Sequence, residues 1–173
     1  GISSALWTIM DKSGLQPDRI NAIAISTTLA TNSVVEKKGA RVVLFVIGYV
    51  KHFKLPVKAI IYLNGGHTIK GVEEEPLELD YQVESIEKLS PEADAYAVCS
   101  AMSMTNPTHE LVAEKAISLI DPKPVFCSHR ASGQTGMKER AATAALHAQL
   151  MPVMQTFLAG VEQAMQSLEL SGI

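Results

Sequence analysis

The sequence predicts an α/β domain with a largely parallel or mixed sheet covered by helices. Three observations predict it. The run Val42–Ile47 is apolar on consecutive residues, the pattern of a strand buried on both faces. Strand-like runs alternate along the chain with segments of helical period, as in βαβ architectures. Clusters of Ser, Thr, Asn and His follow the strand-like runs, and in open α/β sheets ligands bind outside the carboxyl ends of strands.

The chain has 173 residues, of which 47% are hydrophobic and 19% charged, and its formal net charge is -3. That suffices for one folded domain with a real core. It gives no electrostatic reason to expect nucleic acid or an anionic membrane as partner. No apolar run approaches the ~20 residues of a membrane-spanning helix. The opening stretch GISSALWTIMDKSG lacks a basic n-region, so no signal peptide is expected and the cytoplasm is the default compartment. Cys99 and Cys127 each sit in an apolar run and read as small buried hydrophobes.

Ile2–Lys12 reads as a helix stopped at Gly14. Ala22–Ile25 reads as a first short strand, followed by a polar cluster of Ser26, Thr27, Thr28, Thr31 and Asn32 and a short helix ending at Gly39. The cluster is either an ordinary N-cap and turn or an anion-facing helix start. Arg41–Val50 is the second strand. Between Lys51 and Asp80, Pro56, Gly65-Gly66, Gly71 and Pro76 break the chain into short apolar pieces. Strands at Ala59–Leu63 and His67–Val72 around the Gly-Gly turn predict a β-hairpin or small β-rich insertion over about 51–80. Glu73-Glu74-Glu75 reads as a solvated acidic turn. Tyr81–Leu89 is an amphipathic helix, Ala95–Ser100 a third strand, and Asn106–Ile120 a helix with Asn106 as cap and Pro107 in its first turn. Val125–Cys127 is a fourth strand, Arg130–Gly136 a loop, and Met137 to Leu150 a helix that Pro152 kinks or restarts toward Leu168.

Three polar loops are candidates for chemistry: Ser26–Asn32; Ser100–Glu110, with Ser103, Thr105, Asn106, His109 and Glu110; and Ser128–Arg140, with His129, Arg130, Glu139 and Arg140. In a parallel sheet they would converge on one edge. Each has a plainer reading. His109 and Glu110 sit in the first turn of a helix, where the dipole favours a carboxylate. Glu139-Arg140 fits a surface pair, His129 a satisfied histidine and His67 a residue following a turn. No phosphate-binding glycine fingerprint and no metal-ligand spacing is present, so no metal site is predicted.

Four elements together resemble the hydantoinase/oxoprolinase family. They are STTLATNSVVEKKGARVVLFVIGY; Asn64-Gly65-Gly66-His67 with Gly71; Asn106-Pro107-x-His109-Glu110; and Ser128-His129 through Gly136-x-x-Glu139-Arg140-x-x-Thr143-Ala144 to Pro152. They span residues 20 to 152 in the family's order. The resemblance implies a ribonuclease-H-like sheet flanked by helices, from the sugar kinase, actin and heat-shock ATPase superfamily. It implies an incomplete N-terminal lobe with a small β insertion, the whole chain counting as one partial domain. It also implies ATP-dependent opening of a cyclic amide such as hydantoin or 5-oxoproline, with ATP and magnesium as cofactors of the full-length protein and none held by this chain alone. Partners would be the cyclic amide, the remaining lobe of a longer protein, and a second copy in a homo-oligomer. The implied nucleotide- or substrate-binding residues are Thr27, Thr28 and Asn32, with Asn106, His109, Glu139 and Arg140 for substrate contact or lobe closure. Two departures stand out: Ser26 occupies the family's first Gly position, and the opening D-x-G-G-T hairpin is lacking. They leave open a non-catalytic binding or assembly module. A subunit of an ATP-dependent ketone carboxylase is a further alternative.

Overall fold

The structure, a computed structural model, describes residues 2–36, 38–48, 51–131 and 133–170. Lys37, Tyr49 and Val50, the last two closing the expected second strand, and the terminal Gly172-Ile173 lie outside the described residues. The chain divides into two compact units, one of residues 1–38 and 153–173 and one of residues 39–152.

The unit of residues 39–152 holds the sheet. Its strands are β1 (Val42–Ile47), β2 (Ala59–Leu63), β3 (Ala95–Ser100) and β4 (Val125–Cys127), ordered β2-β1-β3-β4. Every neighbouring pair is parallel, with Leu44 opposite Ile60 and Ala97, and Ala97 opposite Phe126. The expected α/β class is therefore observed, with a sheet that is parallel throughout its described strands. Helices α3 (Leu79–Leu89) and α4 (Thr108–Ile120) supply the crossovers, and α5 (Met137–Ser167) follows β4.

The continuous apolar runs have the expected cause. All six residues of β1 and of β3 are buried. Odd and even positions feed two separate cores, as period-two side chains must. Val43, Phe45, Ile47, Tyr96 and Val98 pack with Ile86 of α3 and Ala113 and Ile117 of α4. Val42, Leu44, Val46, Ala97 and Cys99 pack with Met137, Ala141, Ala144 and Ala148 of α5. Small residues on α5 allow a close helix–sheet approach, so a bulky substitution at Ala141 or Ala144 would overpack that layer.

The stretch 51–80 departs from the hairpin expectation. Ala59–Leu63 is an edge strand of the main sheet, parallel to β1. His67–Val72 is no strand: it makes one antiparallel bridge, His67 to Glu73. Between them Gly71 N donates to Thr68 O (2.8 Å) and Thr68 N to Val72 O (2.8 Å), closing a tight turn with Gly71 at φ +77. The loop thus spends its hydrogen bonds internally rather than in a ladder.

An ion pair closes the opposite, amino end of the sheet. Asp94 Oδ2 accepts from Arg41 N (2.8 Å) and Nε (2.9 Å), and Oδ1 from Nη2 (2.7 Å). These hydrogen bonds hold the Asp94 carboxyl down at about 2. Its folded value lies below the ~3.9 of an unfolded Asp. The pair therefore stabilises fully above about pH 4, and that stability is lost as pH falls toward 2. The side chains are 54% and 39% exposed, so solvent screening keeps the contribution small. Asp94→Asn should flatten this part of the stability-versus-pH curve, measured as urea midpoints between pH 2 and 5; an unchanged slope would show that the pair is thermodynamically silent.

The unit of residues 1–38 and 153–173 comprises α1 (Ile2–Ser13), a 3-10 turn at Pro17–Arg19, α2 (Leu29–Val35) and the C-terminal part of α5, which runs without interruption through Pro152. The expected first strand, Ala22–Ile25, does not form: residues 21–28 have no regular structure, and only Ile23 of the run is even half-buried. A strand needs a ladder partner, and among the described residues none pairs with this run. The Ser26–Asn32 cluster is consequently not at the carboxyl end of a described strand. No described helix is long and apolar enough to cross a membrane.

Candidate functional site

The carboxyl ends of β1 to β4 carry Gly48, the Asn64–His67 turn, Ser100 and Ser128-His129. Parallel strands point these ends to one edge, as expected for the second and third polar loops. A buried polar network fills that edge, and its centre is Glu110.

Glu110 is the third residue of α4 and is wholly buried. Its Oε1 accepts from Ser100 N (2.8 Å) and Ser128 Oγ (2.5 Å). Its Oε2 accepts from His129 N (3.0 Å) and His129 Nδ1 (2.6 Å). Four donors suit an ionised carboxylate, which only accepts, and the first turn of a helix favours negative charge. The Ser128 hydroxyl has one proton, and the short contact commits it to Glu110. Ser128 Oγ therefore accepts from Ser103 Oγ (3.2 Å) and from Arg140 Nε at the limit of hydrogen-bond distance (3.5 Å).

Arg140 is 1% exposed. Its Nη2 donates to Ser100 O (2.6 Å), and its Nη1 to Gln134 O (2.9 Å) and Thr135 O (3.2 Å). The guanidinium thus ties the end of β3 to the loop before α5. The surface-pair reading of Glu139-Arg140 does not describe it: Glu139 is exposed, one position along the helix, while Arg140 turns inward.

A second cluster lies beside β2. His109 Nδ1 accepts from Gly66 N (2.9 Å), which fixes the ring as the Nε2–H tautomer. That Nε2 meets Glu73 Oε1 at 2.8 Å, so it donates to the carboxylate. Both ring nitrogens are occupied. The ring of His67 lies 4.3 Å from that of His109, and burial first, then the neighbouring His109, hold His67 below the usual imidazole range. Its Nδ1 is buried and meets no hydrogen-bond partner, as does Ser100 Oγ. Asn106 holds this loop from the other side: its Nδ2 donates to Gly71 O (2.9 Å), and its Oδ1 accepts from Thr108 N (3.1 Å) and Oγ1 (2.6 Å). The N-cap of α4 is Pro107 and the helix begins at Thr108, so Asn106 stands one residue before the expected cap position and serves as a strut between the 64–75 loop and the start of the helix.

The donor atoms of Glu110, Cys127 and His129 lie within 4.8 Å of one another. The group does not make a convincing metal centre. Both carboxylate oxygens of Glu110 are saturated by protein donors, and burial pushes the Cys127 thiol well up, away from the thiolate a metal needs. Burial likewise pushes Cys99 up to about 11, which leaves neither cysteine a nucleophile.

Of the residues singled out from sequence, Asn106 and His109 belong to the cluster beside β2, Arg140 belongs to the Glu110 network, and Glu139 is exposed. Thr27, Thr28 and Asn32 belong to the other unit. There Thr27 Oγ1 accepts from Leu29 N (3.1 Å), and Asn32 Nδ2 donates to Thr28 Oγ1 (3.4 Å), an ordinary helix start. Glu110, Ser128 and His129 were visible only as members of candidate loops. The adjacent pair His109-Glu110 in the first turn of a helix is the local signal, and both side chains are buried. Glu73, read as a solvated residue, gave no local sign of its partner 36 positions away.

Residues 1–120 match the family described as "Hydantoinase/oxoprolinase N-terminal region". None of the curated proteins compared matches the chain. Among solved structures, the ATP-dependent caprolactamase from Pseudomonas jessenii is similar over 96% of this chain and 28% of its own, at TM-score 0.75 and 21% identity. An acetone carboxylase, solved nucleotide-free in a study of ATP-dependent acetone carboxylation, is similar over 83% of this chain and 25% of its own, at TM-score 0.65 and 20% identity. At these identities the likeness is one of fold, and the chain spans about a quarter of each structure's length. The match over residues 1–120 covers more than half of the sequence, and by it the chain belongs to the hydantoinase/oxoprolinase family.

Proposed function

We propose that this chain is part of an ATP-dependent hydrolase that opens a cyclic amide of the hydantoin, 5-oxoproline or lactam type. The match of residues 1–120 to the hydantoinase/oxoprolinase N-terminal region carries the reading. The carboxyl edge of the parallel sheet supports it, because that edge gathers polar groups of both signs around a buried frame, Glu110 and Arg140, that fixes their positions.

ATP and magnesium belong to this reading as cofactors of a longer protein. When bound, ATP would activate the amide carbonyl by phosphorylation. This reading leaves the nucleotide to other parts of the longer protein, since the sequence has no glycine-rich phosphate loop. The contribution assigned to this chain is the substrate side: the edge formed by the Asn64–His67 turn, Ser100 and Ser128-His129.

The test is product analysis of the full-length protein with magnesium ATP and a panel of hydantoin, 5-oxoproline and caprolactam. The expected result is ADP formation that depends on one of these amides and matches the amount of ring-opened acid. ADP formation that depends instead on acetone and bicarbonate would replace this reading with the ketone carboxylase. No ATP turnover with any of them would leave a binding or assembly module.

A further inference from the structure

We propose that His129 is a catalytic base and Glu110 its positioning residue. The proposal rests on the cyclic-amide reading for its substrate, and on geometry for everything else.

A base–orienter pair requires a buried carboxylate that holds one imidazole nitrogen and leaves the other free to take a proton. Glu110 and His129 meet that description. Glu110 is wholly buried, and three other donors, Ser100 N, Ser128 Oγ and His129 N, fix both of its oxygens before the imidazole is counted. The contact from His129 Nδ1 to Oε2 is short, at 2.6 Å. Since Oε2 accepts, Nδ1 carries the proton, and neutral His129 must be the Nδ1–H tautomer with its lone pair on Nε2. No described residue pairs with that Nε2. The side chain is 19% exposed, against none for Glu110, so the imidazole reaches from the buried frame toward the surface. Its position, just past β4, is at the carboxyl edge where α/β sheets bind ligands.

The other histidine pair on this edge lacks these properties. His109 uses both nitrogens, on Gly66 and Glu73, and has no lone pair left to offer. His67 is 4% exposed. His109 is thus a strut and His129 is the histidine free to react.

The step balances without an external oxidant or reductant. With the amide oxygen carrying the phosphoryl group that ATP would supply, the ring carbon is double-bonded to nitrogen. A water oxygen bonds to that carbon while one of its protons passes to His129 Nε2, and the C=N π pair moves onto nitrogen, which takes the proton from Nε2. Collapse of the adduct re-forms C=O from the hydroxyl, whose proton passes through Nε2 to the departing nitrogen as the C–N bond breaks. A second water then releases phosphate and leaves the ring-opened acid. Throughout, Glu110 stabilises the doubly protonated imidazole through Nδ1–H and stays ionised itself.

His129→Asn separates this role from a structural one. Its amide nitrogen replaces Nδ1 and can still donate to Glu110, while Nε2 is gone. The expected result in the full-length enzyme is a turnover lowered about 100-fold or more with an unchanged urea midpoint. The acid limb of the pH–rate profile, where Nε2 would already hold a proton, should disappear. The charged and titratable groups around His129 are Glu110 and Glu114 of α4, Cys127 of β4, the adjacent Arg130, which pairs with Glu114 (2.7 Å), and Arg140 of α5 through Ser128. Wild-type-like turnover with the acid limb intact would overturn the proposal and pass the limb to one of these.

A second measurement needs no turnover. Diethyl pyrocarbonate acylates an unprotonated, accessible imidazole nitrogen, and mass spectrometry locates the adduct. In the full-length protein His129 should be modified at least tenfold faster than His109 and His67; equal or slower modification would overturn the proposal. If the wild-type enzyme opens no cyclic amide, the reading of function fails, and this reactivity still decides whether His129 presents a free lone pair.

Discussion

Glu110→Ala is expected to destabilise the Gly39–Pro152 unit by about 3–5 kcal/mol, the range for removing one partner of a buried charged pair. The carboxylate is wholly buried and takes donors from β3, from the turn after β4 and from the His129 ring. Alanine would strand the Ser100 and His129 amides, each costing about 1–3 kcal/mol when buried without an acceptor. It would also leave Arg140, joined to Glu110 through Ser128, as a buried cation without that counter-charge. Water entering the space would recover part of the loss. Glu110→Gln tests the cause. It keeps the volume but turns one acceptor oxygen into an NH2 that must face either the Ser100 and Ser128 donors or the His129 donors, so an intermediate loss is expected. Urea denaturation of the chain, with amide exchange at Ser100 and His129 as a local probe, measures both. A loss below about 1 kcal/mol for Glu110→Ala would mean that solvent already satisfies these donors and that the frame does not hold the edge.

The parts of this architecture legible in the sequence are those dictated by local pattern. Val42–Ile47, Ala95–Ser100 and Val125–Cys127 are strands where continuous apolar runs required them, and α4 begins at Thr108, just after the Asn106-Pro107 pair that signals a helix start. What the pattern does not encode is pairing. Ala22–Ile25 and Ala59–Leu63 are equally apolar, yet only the second finds a place, beside β1, because a strand is defined by its neighbour. The same limit hid the site. Arg140 and Glu139 are adjacent letters with opposite burial, and helix phase against the sheet decides which turns inward. His109 looked available for substrate, and only its contacts with Gly66 and Glu73, 43 and 36 residues away, show both nitrogens committed. Glu110 and His129 are 19 residues apart, on two elements that follow different strands, and nothing short of the fold unites them.

Gly48→Ala is expected to cost about 2–5 kcal/mol, the sum of about 1–2 for a left-handed backbone and about 1–3 for overpacking. Gly48 ends β1 at φ +72, where its amide donates to Leu63 O (3.0 Å) and so continues the β1–β2 pairing past Ile47. A Cβ there would stand 2.4 Å from Gly65 O, 2.7 Å from Gly66 Cα and 2.9 Å from Gly65 C, all backbone atoms. The Gly65–Gly66 turn has little room to retreat. Gly66 N is held by His109 Nδ1 (2.9 Å), Gly66 O accepts from Glu74 N (3.0 Å), and a Cβ on Gly66 itself would already sit 3.1 Å from Ala101 Cβ. Gly14 provides the comparison. It has nearly the same φ, +65, but a Cβ there meets nothing within 4 Å, so Gly14→Ala should show the backbone cost alone, about 1–2 kcal/mol. The two glycines lie in different units, so each loss is read from the amide exchange of its own unit. Equal losses would show that the 64–67 turn yields freely to an added methyl group. A larger loss at Gly48, with faster exchange at Gly66, would show that β1, the glycine turn and His109 form one rigid wall of the site.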